Sequence, residues 1–334
     1  MILTGTGMLP SGHYALWVAG GNKTSPGTQY IAWSNDAINW NDSTNGNSVF
    51  NNTINEIAYN GTIWLAGSSS ACPLAYSSDG KTWTKSTSGS SILTTVSGIA
   101  WNGTFWLAIG SGPTDKSMSS TDGVNWTALS GLNSITETIF GLDSINGIFF
   151  ACLGGGGGKR LYYTTDGITW TSSASAESLF TTRINQIAYN GSLYVAIGSG
   201  SGLVLAYSSD YINWTASPSG TTPFGTGSGV AWNGTIWVTS GGGGGRLAYS
   251  SDGINWTRST SGNTVISGGS VNEVHWNGSL FAATVSGTNL NQGGVIYSSD
   301  GINWTQSVSA FNILGYTTFG LASRTSPTLY PPIL

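Results

Sequence analysis

The sequence predicts an all-β fold: a seven-bladed β-propeller of four-stranded antiparallel blades, its ring closed by a C-terminal strand. Three observations carry the expectation. The stretch Leu74-Ala75-Tyr76-Ser77-Ser78-Asp79-Gly80-Lys81-Thr82-Trp83-Thr84 recurs along the chain, its acidic residue returning at Asp36, Asp79, Asp122, Asp166, Asp210, Asp252 and Asp300. Self-similarity at such a spacing marks an array of one structural unit. Each unit also holds an Asn-Gly step between two apolar, β-prone runs, as in Ile54–Gly67, which is the strongest short-range hairpin signal. Finally, Trp304-Thr305-Gln306-Ser307 through Phe319-Gly320-Leu321-Ala322-Ser323 repeats the passage from Trp83 to Trp101, so the chain ends on a surplus first strand.

The elements of one unit follow in order. The run before Asn-Gly is the first strand and the run after it the second, with the turn recurring at Asn102-Gly103, Asn146-Gly147, Asn190-Gly191, Asn233-Gly234 and Asn277-Gly278. A Gly- and Ser-rich loop leads to the third strand (Leu74–Ser77), and the Asp79-Gly80 turn leads to a fourth carrying Trp83. Helix-period patterning is absent throughout. Such units bury their apolar faces only against one another, and radial closure does so with few open edges. The repeats fall near 1–46, 47–90, 91–132, 133–177, 178–220, 221–264 and 265–310, with a closing strand at 311–325, all in one domain. A β-solenoid is the alternative. The segment Ile2–Gly12 also bears some likeness to a first strand, and the C-terminal segment is the favoured lock.

Composition narrows the function. The chain has 50 Gly and 15 Trp but only 7% charged residues, far from the average of about 25%. A net charge of -4 lacks the basic excess of a nucleic-acid binder. No apolar run is long enough for a membrane-spanning helix, and no secretory signal is visible at the amino terminus. Localisation stays open. Cys72 and Cys152 fall in the second and fourth repeats, which are not neighbours in a ring, so no disulfide is expected between them.

The words themselves then point to a family. Ser77-Ser78-Asp79-Gly80-Lys81-Thr82-Trp83 resembles the Asp-box, or bacterial neuraminidase repeat, of sialidases and many other propellers. It is similar to the shortened Ser-x-Asp-Gly-x-x-Trp form of bacterial and bacteriophage surface proteins, with one residue fewer between Asp and Gly. The resemblance implies a structural hairpin on the face opposite any active site. The chemistry agrees: the carboxylate is suited to accept turn amides and the hydroxyl two residues earlier, and the indole covers an inter-blade interface. Asp36, Asp79, Asp122, Asp166, Asp210, Asp252 and Asp300, with Trp40, Trp83, Trp126, Trp170, Trp214, Trp256 and Trp304, are therefore expected to be structural.

A sialidase, by the same resemblance, would need three arginines on a carboxylate, a Tyr–Glu pair and an acid Asp. The family's Arg-Ile-Pro is missing, Arg183-Ile184-Asn185 coming nearest. Outside the boxes, Glu56 and Glu273 hold matching first-strand positions, with Gln186 equivalent to them. They are expected to line a central channel as repeated polar residues rather than as a paired-carboxylate glycosidase site. His13 and His275 have no second His or Cys at ligand spacing, so neither metal nor cofactor is expected. Gly154–Gly158 and Gly241–Gly245 lack the strand–loop–helix context of a phosphate loop.

Topology puts the boxes on one face and the loops between second and third strands on the other. Those loops gather Lys23, Lys116, Lys159, Arg160 and Arg246, while Tyr211, Phe224, Phe311 and Tyr316 break the repeat pattern. Loops on rigid scaffolds commonly carry recognition. The expectation is a non-catalytic structural or binding module of a virion, phage tail or cell surface. It would meet a protein or glycan surface through Lys23, Lys116, Lys159, Arg160, Arg246, Tyr211 and Phe224. A lectin with repeated sites between blades is the alternative, and a divergent glycoside hydrolase the third reading.

Overall fold

The computed structural model describes residues 16–69, 72–155, 158, 160–200, 204–218, 225–243, 245–266, 268–287 and 293–324. Strands follow one another in the order of the repeats. The first unit supplies β1 (Trp17–Asn22), β2 (Ile31–Ser34) and β3 (Trp40–Asp42), and the second β4 (Ile54–Tyr59), β5 (Trp64–Ser68), β6 (Leu74–Ser77) and β7 (Thr84–Lys85). The third holds β8 (Thr95–Trp101), β9 (Trp106–Ser111), β10 (Ser117–Ser120) and β11 (Thr127–Leu129). The fourth holds β12 (Thr138–Ile145), β13 (Ile148–Gly154), β14 (Leu161–Thr164) and β15 (Thr171–Ser172). The fifth holds β16 (Arg183–Tyr189), β17 (Tyr194–Ser199), β18 (Leu205–Ser208) and β19 (Thr215–Ala216). Then come β20 (Thr226–Trp232), β21 (Trp237–Gly242), β22 (Leu247–Ser250) and β23 (Thr257–Arg258), followed by β24 (Ser270–Trp276), β25 (Phe281–Ser286), β26 (Gly294–Ser298) and β27 (Thr305–Gln306). The last strand, β28 (Thr317–Ser323), pairs antiparallel with β1, Trp17 opposite Ser323 and Gly20 opposite Gly320. All pairings within a unit are antiparallel and sequential. First strands lie side by side in the order β4, β8, β12, β16, β20, β24, β28, and β28 lies against β4.

Five short helices were not expected: α1 (Gly46–Val49), α2 (Thr87–Ile92), α3 (Ala174–Leu179), α4 (Thr260–Val265) and α5 (Val308–Leu314). At four to seven residues they are too short to write a 3.6-residue period. Their signal is the cap instead, since Ser86, Ser173, Ser259 and Ser307 each accept a backbone N–H three residues on. Helix α5 therefore takes the front of the segment expected to be strand from 311. The alternative lock at Ile2–Gly12 lies outside the described residues.

The Asn-Gly turns also differ from expectation. The two-residue form with both residues at positive φ occurs at Asn146-Gly147 (53° and 80°). In the second unit Asn60 instead accepts the amides of Thr62 and Ile63 through Oδ1 at 3.0 and 2.9 Å, making a four-residue loop with Gly61 at φ 99°. Asn102, Asn190, Asn233 and Asn277 do the same. The asparagine side chain replaces the backbone bond that a tighter turn would make.

Each box is held by its own carboxylate. The Ser or Thr hydroxyl donates to Asp Oδ1 at 2.8–3.0 Å in all seven words. The same oxygen accepts the amides two and three residues ahead at 2.7–3.0 Å. Box glycines sit at φ 71–74°, where a Cβ is costly. The two words without glycine keep that backbone, Ala37 at 61° and Tyr211 at 54°. Indole N–H groups of Trp126, Trp170 and Trp304 donate to the box-glycine carbonyl at 3.1–3.2 Å. Between units the apolar faces meet around second-strand aromatics; Trp17, Trp64, Trp106, Trp237, Phe150 and Phe281 are fully buried. Cys72 and Cys152 are buried and not joined in a disulfide.

Tyr211 shows what replaces the glycine. Its ring packs edge-on against Phe150, Tyr163 and Tyr194 at 5.4–5.6 Å between centroids. Ring contacts thus offset a left-handed backbone. Tyr211→Ala keeps the backbone strain and loses the ring, so it should destabilise by about 1 kcal/mol more than Tyr211→Gly. Urea midpoints of the two variants test this, and equal losses would refute it.

Candidate functional site

A β-bulge recurs in every innermost strand and shapes the channel. Register shifts fall between Ile54 and Glu56, Val96 and Gly98, Ile139 and Gly141, Ile184 and Gln186, Gly227 and Gly229, and Val271 and Glu273. In β28 the shift skips Phe319. The unpaired residues are thus Asn55, Ser97, Phe140, Asn185, Ser228, Asn272 and Phe319. A bulge leaves its extra residue out of the ladder and re-aims the side chain. All seven line one cavity of about 310 Å³. A wider cavity of about 570 Å³ beyond it shares Asn55, Ser97, Phe140 and Phe319. A third, of about 320 Å³, lies toward the Asn-Gly turns and is reached by Tyr59, Trp101 and Arg324.

Glu56, Asp143, Gln186 and Glu273 line both inner cavities, which places them at the waist of the channel. His275 Nε2 lies 2.6 Å from Glu273 Oε1. Asp143 Oδ2 accepts the Ile187 amide of the next unit at 2.8 Å, and Gln186 Oε1 accepts that of Val230 at 2.7 Å. Glu56 bonds back to the amide of Ile57 at 3.1 Å. These side chains line the cavities yet are surrounded by protein. Burial pushes the Glu56 carboxyl well above its usual range, with Glu273 and Asp143 adding to it. Burial likewise raises Asp143 to about 7 against the bond from Ile187. For His275 burial acts downward, but the carboxylate of Glu273 outweighs it and the imidazole pKa is raised. Among the described residues, no three His, Cys, Asp or Glu are grouped to hold a metal.

The expected channel residues Glu56, Gln186 and Glu273 do come together. Sequence reasoning missed their companions. Asp143 and His275 occupy the strand position held elsewhere by Ala58, Ala100, Ala188, Ala231 and Ala322, and that substitution in an alanine column was the available signal. The Asn of each Asn-Glx pair was also overlooked.

The residues expected on the loop face are scattered. Lys23 is exposed, with its ammonium 5.9 Å from the Tyr30 ring centre. Arg160 is buried, its guanidinium donating to the carbonyls of Phe180, Gly155 and Thr181 at 2.8–3.2 Å. Arg246 donates to the Gly269 carbonyl at 2.7 Å, and Lys116 to that of Ile135. These three cations tie their loops to the links that lead into the next unit. Tyr211 lies in a box turn, not in such a loop, and Phe311 is buried beside Tyr316. Lys159, Phe224 and His13 lie outside the described residues.

Comparison with known proteins agrees with this architecture. Residues 34–180 match the family model of the DUF6242 beta propeller domain. No curated protein matches the chain in sequence. The GH74 xyloglucanase from Xanthomonas campestris superposes with a TM-score of 0.56 at 14% identity, over 75% of this chain and 45% of that one. The GH74 enzyme of Niastella koreensis gives 0.52 at 19%, over 90% and 47%. A chain of a nidogen/laminin complex gives 0.53 at 11%, over 93% and 98%. This chain spans about half the length of the two GH74 structures. At these identities the likeness is one of fold: the chain is a β-propeller.

The box and channel carboxyls oppose one another in pH dependence. Turn amides of Thr169 and Asn213 hold Asp166 and Asp210 at about 2. In Asp252 and Asp300 burial acts upward, yet the bonds from Asn255 and Asn303 prevail, again to about 2. Lowered carboxyls stabilise the fold above the unfolded value of about 4 and lose this as pH falls toward 2. Glu56 and Asp143 bind protons more tightly when folded, so their effect is stability lost as pH rises from about 4 through 7. The raised His275 also loses stability with rising pH. Melting temperature should therefore peak at roughly pH 4–5 and fall toward pH 8, with Asp143→Asn flattening the fall. A melting temperature that climbs from pH 5 to 8 would contradict this.

Proposed function

We propose that the chain is one seven-bladed propeller domain, closed by β28, acting as a non-catalytic binding module that meets its partner on the loop face. The observation that carries this reading is the ring of bulge residues at the channel mouth. Phe140 is 39% exposed there and Phe319 stands beside the same cavity, at positions where the other innermost strands place Asn or Ser. Exposed aromatics that no packing requires are recognition features. The carboxylates of the box face, by contrast, are satisfied within their own turns.

The reading includes the Asp-box kinship and placement on a virion or cell surface, both supported by the repeated Ser-x-Asp-Gly-x-x-Trp words. Glycoside hydrolysis is the second reading, favoured by the clustering of Glu56, Asp143 and Glu273. A photo-reactive amino acid placed at Ser97 on the mouth, or at Ile168 on the box face, distinguishes faces in the producing organism. Cross-links should form from position 97 and not from 168. Cross-links from 168 alone would overturn the assignment, and turnover of xyloglucan or a fluorogenic glycoside, abolished by Glu56→Gln, would replace it with the enzyme.

A further inference from the structure

We propose that the channel mouth is a binding site for a neutral sugar ring, an assignment that deepens the loop-face reading and rests on it. The inner cavity of about 310 Å³ and the outer one of about 570 Å³ fall within the range of small-ligand sites. Their lining decides the chemistry.

Acceptors come first. Asn55 donates one amide hydrogen to Ser69 Oγ at 2.8 Å and the other to the Val96 carbonyl at 2.9 Å. Asn272 does likewise with Ser286 Oγ and the Thr318 carbonyl, both at 2.6 Å. Asn185 repeats the pattern with Ser199 Oγ and the Gly227 carbonyl. With one hydrogen committed within its own unit and the other to the next, the group each asparagine has left for the cavity is its Oδ1. Donors are present as well. Arg183 lines the same cavity, its Nε buried without a hydrogen-bond partner, and its guanidinium lies 4.5 Å from the Phe140 ring centre. An arginine in a cavity wall brings several N–H donors and no acceptor, so it suits a ligand oxygen.

Charge then excludes the alternatives. An anionic ligand would meet the Glu273 carboxylate at the cavity floor, and that of Asp143 once it ionises, against the single cation Arg183 in the lining. A cation would meet Arg183 on the wall, over a floor already partly neutralised by His275 against Glu273. A neutral ring with several hydroxyls both donates to the asparagine oxygens and accepts from Arg183. Its C–H face suits Phe140 and Phe319, which flank Asn55 and Ser97 in strand order. The three asparagines occur on three different innermost strands but converge on one axial cavity, so the stoichiometry is one sugar per chain rather than one per blade.

Saturation-transfer NMR on the purified chain tests this with D-glucose and N-acetyl-D-glucosamine as neutral probes. N-acetylneuraminic acid and N-acetyl-lysine amide serve as charged controls. Saturation should reach a neutral ring and neither control. Phe140→Leu and Phe319→Leu keep apolar bulk but remove the aromatic face, and should lower affinity roughly threefold to tenfold. Ile168→Ser on the opposite face should leave it unchanged. Absence of saturation in every neutral sugar, preference for a charged control, or full affinity in both phenylalanine variants would overturn the site. If position 97 cross-links a partner while no sugar is saturated, the loop-face reading stands and the sugar site falls; failure of both removes both.

Discussion

The interaction on which the architecture depends is the grip of one unit on the next unit's box turn. After four of the fourth strands a hydroxyl pair, Ser-x-Ser, reaches across. Ser86 and Ser88 donate to the Val124 carbonyl while Ser88 accepts the Trp126 amide. Ser173 and Ser175 hold Ile212 and Trp214 in the same way, and Ser259 and Ser261 hold Ile302 and Trp304. Ser307 and Ser309 repeat it on Ile38 and Trp40, joining the last unit to the first. The first of the two serines also caps the following helix, so one hydroxyl fixes both the chain's path and its neighbour. A two-residue fourth strand has almost no ladder of its own, and each such bond contributes about 1 kcal/mol net. The turn is stable because its carboxylate organises it from within and the preceding serines hold it from outside.

After β3, Ser43 donates to the Lys81 carbonyl and Asn45 replaces the second serine, accepting the Trp83 amide; the junction after β11 departs further and shows what the serines do. After β11 the corresponding residues are Leu129 and Gly131. Leu129 sits over the next box glycine, whose added Cβ would stand 3.2 Å from Leu129 Cδ1, and Gly131 is pressed against the Ile168 carbonyl, where a Cβ would come within 2.3 Å. Polar clamping is replaced by apolar contact with Leu132, Ile135 and Ile139 in one buried cluster, and no helix forms. Direct backbone approach and a larger apolar patch do there what two hydroxyls do elsewhere.

Much of this was legible in the sequence for a simple reason. Box turns, Asn-Gly turns and second-strand aromatics are local or strictly periodic, so repetition printed them six or seven times. The serine clamp was printed in most units, as in Thr84-Lys85-Ser86-Thr87-Ser88 and Thr257-Arg258-Ser259-Thr260-Ser261, but its partner lies some forty residues away in the next word, where no local pattern points. The channel was the least legible part. Glu56, Gln186 and Glu273 could be aligned, whereas the bulge that turns Asn55, Phe140 and Phe319 inward is a register shift between paired strands, and register belongs to the fold. Likewise the loop-face cations looked available for a partner because sequence shows charge but not direction; Arg160 is turned onto the carbonyls of Phe180 and Thr181 in the link to the next unit.

The bulge ring also explains why the channel is irregular in a chain otherwise so repetitive. Following each bulge residue comes Glu56, Gly98, Gly141, Gln186, Gly229, Glu273 or Gly320, so no long side chain has another on the next strand. Each glycine marks a close approach of the following backbone: a Cβ at Gly98 would lie 2.6 Å from the Leu142 amide nitrogen, at Gly229 3.0 Å from that of Val274, and at Gly320 3.1 Å from that of Ile57. Gln186 reaches the Val230 amide across the gap that Gly229 leaves. Seven innermost strands converging on one axis thus leave space for three long side chains, not seven. Sevenfold repetition suffices to build the wall, but the centre must break the repeat to fit, and a surface whose strands differ is one that a single, asymmetric ligand can recognise. Crowding at the axis, rather than any change in the blades, is what gives this otherwise uniform β-propeller one distinctive place.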